Sequence, residues 1–168
     1  SFIEERAGIR GLLFHTVFSD FSEIKLNHVS PQQSLTIEHY RAIFEYFLEH
    51  GYQFIGYQNL MSQLDTGKKY IYVTFDDGYY NNLAIVPLIE EFNIPVHFFI
   101  TTDNTLNNRK YWWDVVYQKR SKAGVSQREI EAEFRTLKMK TPEEITQYVT
   151  NNFGAEGHRP LSDIDRPL

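Results

Sequence analysis

Hydrophobic and polar positions along the chain alternate between two periods, one suited to strands and one to helices. Ile9 to Phe14 is a short apolar run that ends at His15 and predicts a first strand. From Thr36, apolar residues recur at Ile37, Tyr40, Ile43, Phe44, Phe47 and Leu48. That spacing puts them on one face of a helix capped by Thr36 and ended by Gly51. Tyr52 to Ile55 predicts a short strand and Asn59 to Leu64 a short helix. Tyr70 to Phe75 is a nearly unbroken apolar run, the pattern of a strand buried on both faces in a parallel sheet. Pro87 marks a helix start within 81–92, Asn93 to Pro95 break it, and Val96 to Ile100 predicts the next strand. Strand, helix and strand fit a βαβ unit of about 30 residues, which makes the two strands parallel neighbours with a right-handed crossover.

From Tyr111 onward the pattern is helical. Trp112 to Lys122 predicts a helix stopped by Gly124. Ser126 with Glu129 forms a capping box ahead of Ile130, Phe134 and Leu137. Thr141 with Glu144, and Pro142 between them, forms a second box ahead of Ile145, Tyr148 and Val149, with Gly154 as the stop. These helices, over 111–154, read as an insertion between strands. Phe18 to Gln33, with Pro31, reads as loop, and Glu156 to Leu168 as an extended tail that leads nowhere within the chain. No repeat, low-complexity tract or linker divides the sequence, so 1–168 reads as a single α/β domain.

Chemistry enters where the most apolar run ends. Phe75 is followed by Asp76, Asp77 and Gly78. A buried strand that delivers two acids at its C-terminal end puts charge where α/β folds keep their active sites. One carboxylate of such a pair suits a divalent cation while the other serves as a general base. Asp-Asp-Gly is also ordinary turn chemistry, and the same pair suits phosphoryl-transfer sites that hold Mg²⁺. The spacing by itself does not name the reaction.

Composition narrows the classes. The 168 residues are 42% hydrophobic, with 13 Phe, 11 Tyr and 2 Trp, a globular composition. A net charge of -5 argues against nucleic acid as the main partner. No apolar run is long enough for a transmembrane helix, and Ser1 to Arg6 lacks a signal-peptide pattern and an initiator Met. Without cysteine there is no disulfide, thiolate metal site or thiol nucleophile, so any metal needs His and carboxylate ligands.

Val73-Thr-Phe-Asp-Asp-Gly78 resembles the first signature of the polysaccharide deacetylase family, the NodB-homology carbohydrate esterases. The resemblance extends to Leu12-Leu-Phe-His-Thr-Val17, to 35–60, to Ile94-Pro-Val-His-Phe-Phe-Ile-Thr-Thr-Asp103 and to Tyr111-Trp-Trp-Asp114. It implies a distorted (β/α) barrel and metal-dependent removal of N- or O-acetyl groups from a polysaccharide or oligosaccharide. By position, Asp76 is implied as general base and Asp77 as ligand to a divalent metal, most often zinc. His15 is a candidate for the acetyl pocket or for orienting Asp76, its other reading being a buried histidine bonded to backbone. The resemblance also favours an extracytoplasmic or cell-envelope setting.

The family completes its metal site with two histidines five positions apart, and no pair among His15, His28, His39, His50, His97 and His158 has that spacing. His39 and His50 share a helix face but lie roughly 16 Å apart. The family's later arginine, Asp-Trp pair and Leu-x-His segment are absent as well. A barrel of this type takes about 250 residues, so the expectation is the N-terminal part of a longer deacetylase, inactive alone. Its exposed core would then be covered by a missing C-terminal part or by self-association. Two further readings stand beside it: a carbohydrate-binding or assembly relative without catalysis, and a Mg²⁺-dependent phosphoryl-transfer or phospho-acceptor domain. Trp112 and Trp113 read as packing of the helices more than as a sugar platform, His97 as core, and Glu129, Glu143 and Glu144 as helix caps.

Overall fold

The computed structural model describes residues 6–30 and 32–168. Pro31 of the segment read as loop, and all of the N-terminal stretch searched for a leader except Arg6, lie outside the described residues. In chain order the elements are β1 (Gly8–Phe14), α1 (Phe21–Lys25), α2 (Ile37–Glu49), β2 (Tyr52–Phe54), α3 (Tyr57–Leu60), β3 (Lys69–Phe75), α4 (Val86–Glu91), β4 (Val96–Phe98), α5 (Thr102–Asn107), α6 (Trp112–Lys122), α7 (Gln127–Leu137) and α8 (Pro142–Phe153), with 3₁₀ turns over Tyr80–Ile85 and Ala155–His158. No described helix is long and apolar enough to cross a membrane.

The chain is mixed α/β, built on a parallel sheet centred on β3. β1 pairs along the whole of it, from Gly8 opposite Lys69 to Phe14 opposite Phe75. The other edge is shared: β2 lies against Lys69 to Ile71, and β4 against Val73 to Phe75. Ile71, Val73 and Phe75, on the face that meets α2, are fully buried, whereas Tyr72 and Thr74 on the opposite face are only half-buried, so β3 is not closed on both faces as its apolar run predicts. The β3–α4–β4 unit makes its two strands parallel neighbours, as its spacing predicts.

Helix α2 lays Tyr40, Phe44 and Phe47 over the sheet against Phe14, Ile71, Val73 and Phe75. Each such side chain contributes roughly 1.5–3 kcal/mol on leaving water. Phe14 and Tyr40 meet edge to face at 4.9 Å, the orientation that ring quadrupoles favour. The two capping boxes form: Glu129 accepts from Ser126 N–H at 3.1 Å, and Glu144 from Thr141 N–H at 2.8 Å. A smaller apolar cluster of Phe18, Val29, Tyr79, Tyr111 and Ile164 lies apart from the sheet core and joins the helices to the segments around it.

Four segments differ from their sequence reading, the mildest being α3, which covers Tyr57–Leu60 and not Asn59 to Leu64. The stretch after β1 contains α1, because the Asp20 carboxylate accepts from Ser22 N–H at 2.6 Å and caps a helical turn that polar composition hid. β4 ends at Phe98, and the chain turns into α5 instead of continuing to Ile100 as strand. The tail is the largest correction. It folds back, so that Tyr80 N–H donates to Arg166 O at 2.9 Å and Leu168 N–H to Gly78 O at 2.8 Å, and Pro167 bridges to Tyr79.

Buried charge anchors that tail. Asp165 is fully buried and pairs with Lys110 Nζ at 3.1 Å, whose side chain is 3% exposed. The carboxylate also accepts from Leu161 N–H and Ser162 N–H, both at 2.9 Å, and from Gln118 Nε2 at 2.9 Å. Removing either partner strands a charge in the interior. Asp165→Ala and Lys110→Ala are each expected to cost about 3–5 kcal/mol in urea unfolding, whereas Lys110→Met combined with Asp165→Leu should cost much less than the two losses added together.

Candidate active site

The site begins with strand register. Phe14 lies opposite Phe75, so the residues that follow them, His15 and Asp76, leave the sheet side by side at its C-terminal edge. Asp76 N–H donates to Phe14 O at 2.8 Å and keeps the two exits together. The chain then turns sharply, with Asp77 at φ 71° and Gly78 at φ 78°. Glycine adopts this conformation freely, whereas an aspartate held there carries roughly 1–2 kcal/mol of strain. A side chain at Gly78 would also approach Ile100 Cα to 3.1 Å, so the position excludes one on two grounds.

A polar network from the helical region holds the turn. The Tyr111 hydroxyl donates to Asp77 O at 2.6 Å and lies 3.2 Å from Gly78 O. Thr101 N–H donates to the same Asp77 carbonyl at 3.1 Å. Tyr111 stacks on Trp113 with ring centroids 4.9 Å apart. Trp113 Nε1 donates to the Tyr79 hydroxyl at 2.8 Å, Tyr79 donates to Asp114 at 2.7 Å, and Asp114 accepts from Ser30 N–H at 2.7 Å. On the other side, Gln33 accepts from His15 N–H at 3.2 Å and donates to Leu13 O at 2.9 Å, while Asn82 donates to His15 O at 2.8 Å. Both strand exits are therefore fixed by side chains from distant segments.

Above the turn lies a cleft of about 580 Å³. Its lining includes His15 and Asp77 from the strand ends, Trp112 and Trp113 from α6, and Glu131, Phe134 and Lys138 from α7. Burial raises the Asp77 carboxyl above its ordinary range; the neighbouring His15 opposes this, the Asp76 charge adds to it, and Lys138 opposes it more weakly. Asp76 is half-buried, and its Oδ1 is shielded without a hydrogen-bond partner. His15 Nδ1 is likewise shielded and unpartnered. The turn thus offers a free carboxylate oxygen and a free imidazole nitrogen, groups able to handle a proton.

His15 and Asp77 share the cleft, and Asp76 sits beside them one residue from its floor. Trp112 and Trp113 are only half-buried and form a wall of the cleft, so they do more than pack the helices together. His97 is also half-buried, its ring tilted against those of Tyr57 and Phe99, and it does not line the cleft. Tyr79, Tyr111 and Asp114 carried no functional signal of their own in the sequence. The available hint was the compact Tyr-Trp-Trp-Asp string at the start of a helix.

Among the described residues, no three His, Asp or Glu side chains converge to hold an ion. Asp77 can give one carboxylate, but a closed site does not fit the residues described here.

Burial pushes the Asp114 carboxyl up to about 8, against the two donors that favour its charged form. An acid whose pKa is higher in the folded state binds a proton that the unfolded chain has lost. Stability is then greatest below about pH 4 and falls as pH rises towards about 8. The wild type should lose up to about 1.4 kcal/mol per pH unit relative to Asp114→Asn across that window. Thermal melts of both proteins from pH 4 to 8 measure the difference, and parallel slopes would contradict it.

No curated protein sequence matches the chain. One solved structure similar to it is a de-N-acetylase from Aggregatibacter actinomycetemcomitans, 19% identical, with a TM-score of 0.46 over 67% of this chain. The chain spans about half of that protein, 51% of its length. The family model for polysaccharide deacetylase matches residues 63–155, a span that carries β3, both acids and the first helices of the cleft wall. On that match, over more than half of its length, the chain belongs to the polysaccharide deacetylase family.

Proposed function

We infer that this chain supplies the acidic side of an active site that removes acetyl groups from a polysaccharide by hydrolysis. The observation that carries the reading is the Asp76-Asp77-Gly78 turn, which lies within the family match, at the end of a buried strand and beneath an aromatic-walled cleft. A cleft of about 580 Å³ is in the range that holds small ligands, and a lining that mixes aromatic faces with many polar groups suits a sugar ring and its acetyl substituent.

In this reading Asp76 takes a proton from water as its oxygen attacks the acetyl carbonyl carbon. The bond from that carbon to the sugar nitrogen then breaks, and the same proton passes from Asp76 to the departing amine. Acetate and a free amino sugar result. Lys138 lines the cleft, which supports a role for its positive charge against the negative charge that develops on the carbonyl oxygen. The sheet is read as one wall of a distorted (β/α) barrel, with the helices over 111–154 as its insertion.

Asp77 is proposed as one ligand to a divalent cation, with zinc the expectation from resemblance. The described residues do not complete such a site, and no step is assigned to a metal. The same observation favours a second reading, a relative that binds carbohydrate without hydrolysing it.

Two measurements separate these readings. In the full-length protein, Asp76→Asn should lower acetate release from an N-acetylated oligosaccharide by about 10²–10⁴-fold while leaving binding of that oligosaccharide intact. Binding with no acetate release from any acetylated glycan would favour the second reading. For the 168-residue chain, calorimetric titration with zinc should show weak binding only. A tight one-to-one isotherm would mean that its own side chains form a complete site.

A further inference from the structure

A second cleft, of about 270 Å³, adjoins the one above the acidic turn. Trp112, Trp113 and Ile145 line both, so the two cavities share a largely aromatic partition. The second cleft has its own polar groups, Arg109 and His158 among them.

Arg109 is half-buried and makes no ion pair among the described residues. Its backbone is held tightly: its N–H donates to Asn104 O at 2.9 Å, and Asn104 Nδ2 donates to its carbonyl at 3.0 Å. Arginine left without a carboxylate in a partly desolvated cleft is a ready partner for one, because its planar fork matches two oxygens at once. Lys110, on the same lining, is already neutralised by Asp165 and does not compete. Asp103 is the one carboxylate on that lining; it is exposed and accepts from Asn107 Nδ2 at 3.0 Å.

His158 adds a different group. Its Nδ1 faces Lys110 O at 3.4 Å, and a carbonyl can only accept, so Nδ1 carries the proton. Nε2 is then a lone-pair acceptor, shielded from solvent and without a partner. Burial, helped by the charges of Arg109 and Lys110, holds the ring in its neutral form. The cleft thus presents a cation and a hydrogen-bond acceptor beside an aromatic partition.

We propose that this second cleft is the subsite for the sugar next to the acetylated one, and that it takes an acidic sugar: Arg109 binds the carboxylate of a hexuronate and His158 Nε2 accepts from a ring hydroxyl. The proposal rests on the deacetylase reading and deepens it, making the substrate an acidic heteropolymer instead of a neutral chain. Trp112 and Trp113 divide the two rings.

Two unacetylated probes test it by calorimetry, without turnover: a β-1,4-linked tetraglucuronate and cellotetraose, which differ only at C6. The wild-type protein should bind the tetraglucuronate tighter by about tenfold or more, the worth of a charge-assisted pair. Arg109→Gln should bring the two affinities together. Arg128→Gln, which removes an exposed charge of α7 that lines neither cleft, should leave the preference unchanged. Equal binding of both probes by the wild type, binding of neither, a preference that survives Arg109→Gln, or equal loss in Arg128→Gln would each overturn the proposal. Acid preference in a protein that releases no acetate from any acetylated glycan would keep the subsite and remove the catalytic reading.

Discussion

Asp77 and Gly78 both hold positive φ, and the carbonyls of both face a single phenol, that of Tyr111. Most of what is distinctive about the molecule follows from that clamp. The turn alone is strained, and its strain is offset by donors from outside it: Tyr111 and Thr101 on Asp77 O, and Leu168 N–H on Gly78 O. Tyr111 is itself fixed by stacking on Trp113. The line of bonds then runs through Tyr79 and Asp114 to the backbone of Ser30. A turn from the sheet, a helix and a loop more than forty residues upstream of that turn are thereby tied into one unit.

The helical region therefore does two jobs. Its buried side supplies Tyr111, Asp114, Gln118 and Lys110, which hold the acidic turn and the returning tail. Its exposed side supplies Trp112, Phe134 and Lys138 to the cleft. Because α6 contributes to both, the shape of the cleft and the conformation of the acids depend on one rigid element. Buried titratable groups are costly, and three of them lie in this region: Asp114, Asp165 and Lys110. Each is kept by several hydrogen bonds at fixed positions, which favours a single arrangement over a sliding apolar contact.

The electrostatics of the two clefts differ in kind. Around the acidic turn, carboxylates, His15 and Lys138 act on one another, and burial raises Asp77. That is an environment for moving protons. Across the tryptophan partition, an arginine without an ion pair and a neutral imidazole create an environment for holding an oxygen-rich group.

Much of the fold was legible because its signals are local. Apolar runs marked β1 and β3, helical spacing marked α2, and the boxes at Ser126 and Thr141 marked the starts of α7 and α8. The Asp-Asp-Gly string announced an acidic turn at a strand end. Hidden were α1, whose single turn depends on an Asp20 cap, and the return of the tail. No local pattern shows that Asp165 meets Lys110 or that Asp114 is buried, because the same acids at the surface would look identical in sequence. The amino-acid order by itself determined which segments become strand or helix and which acids end the central strand, since those outcomes rest on short-range periodicity and capping. Only the tertiary structure decided which side chains clamp that turn, which face of the insertion forms a cleft, and which charges stay unpaired, because each depends on packing between residues far apart in the chain.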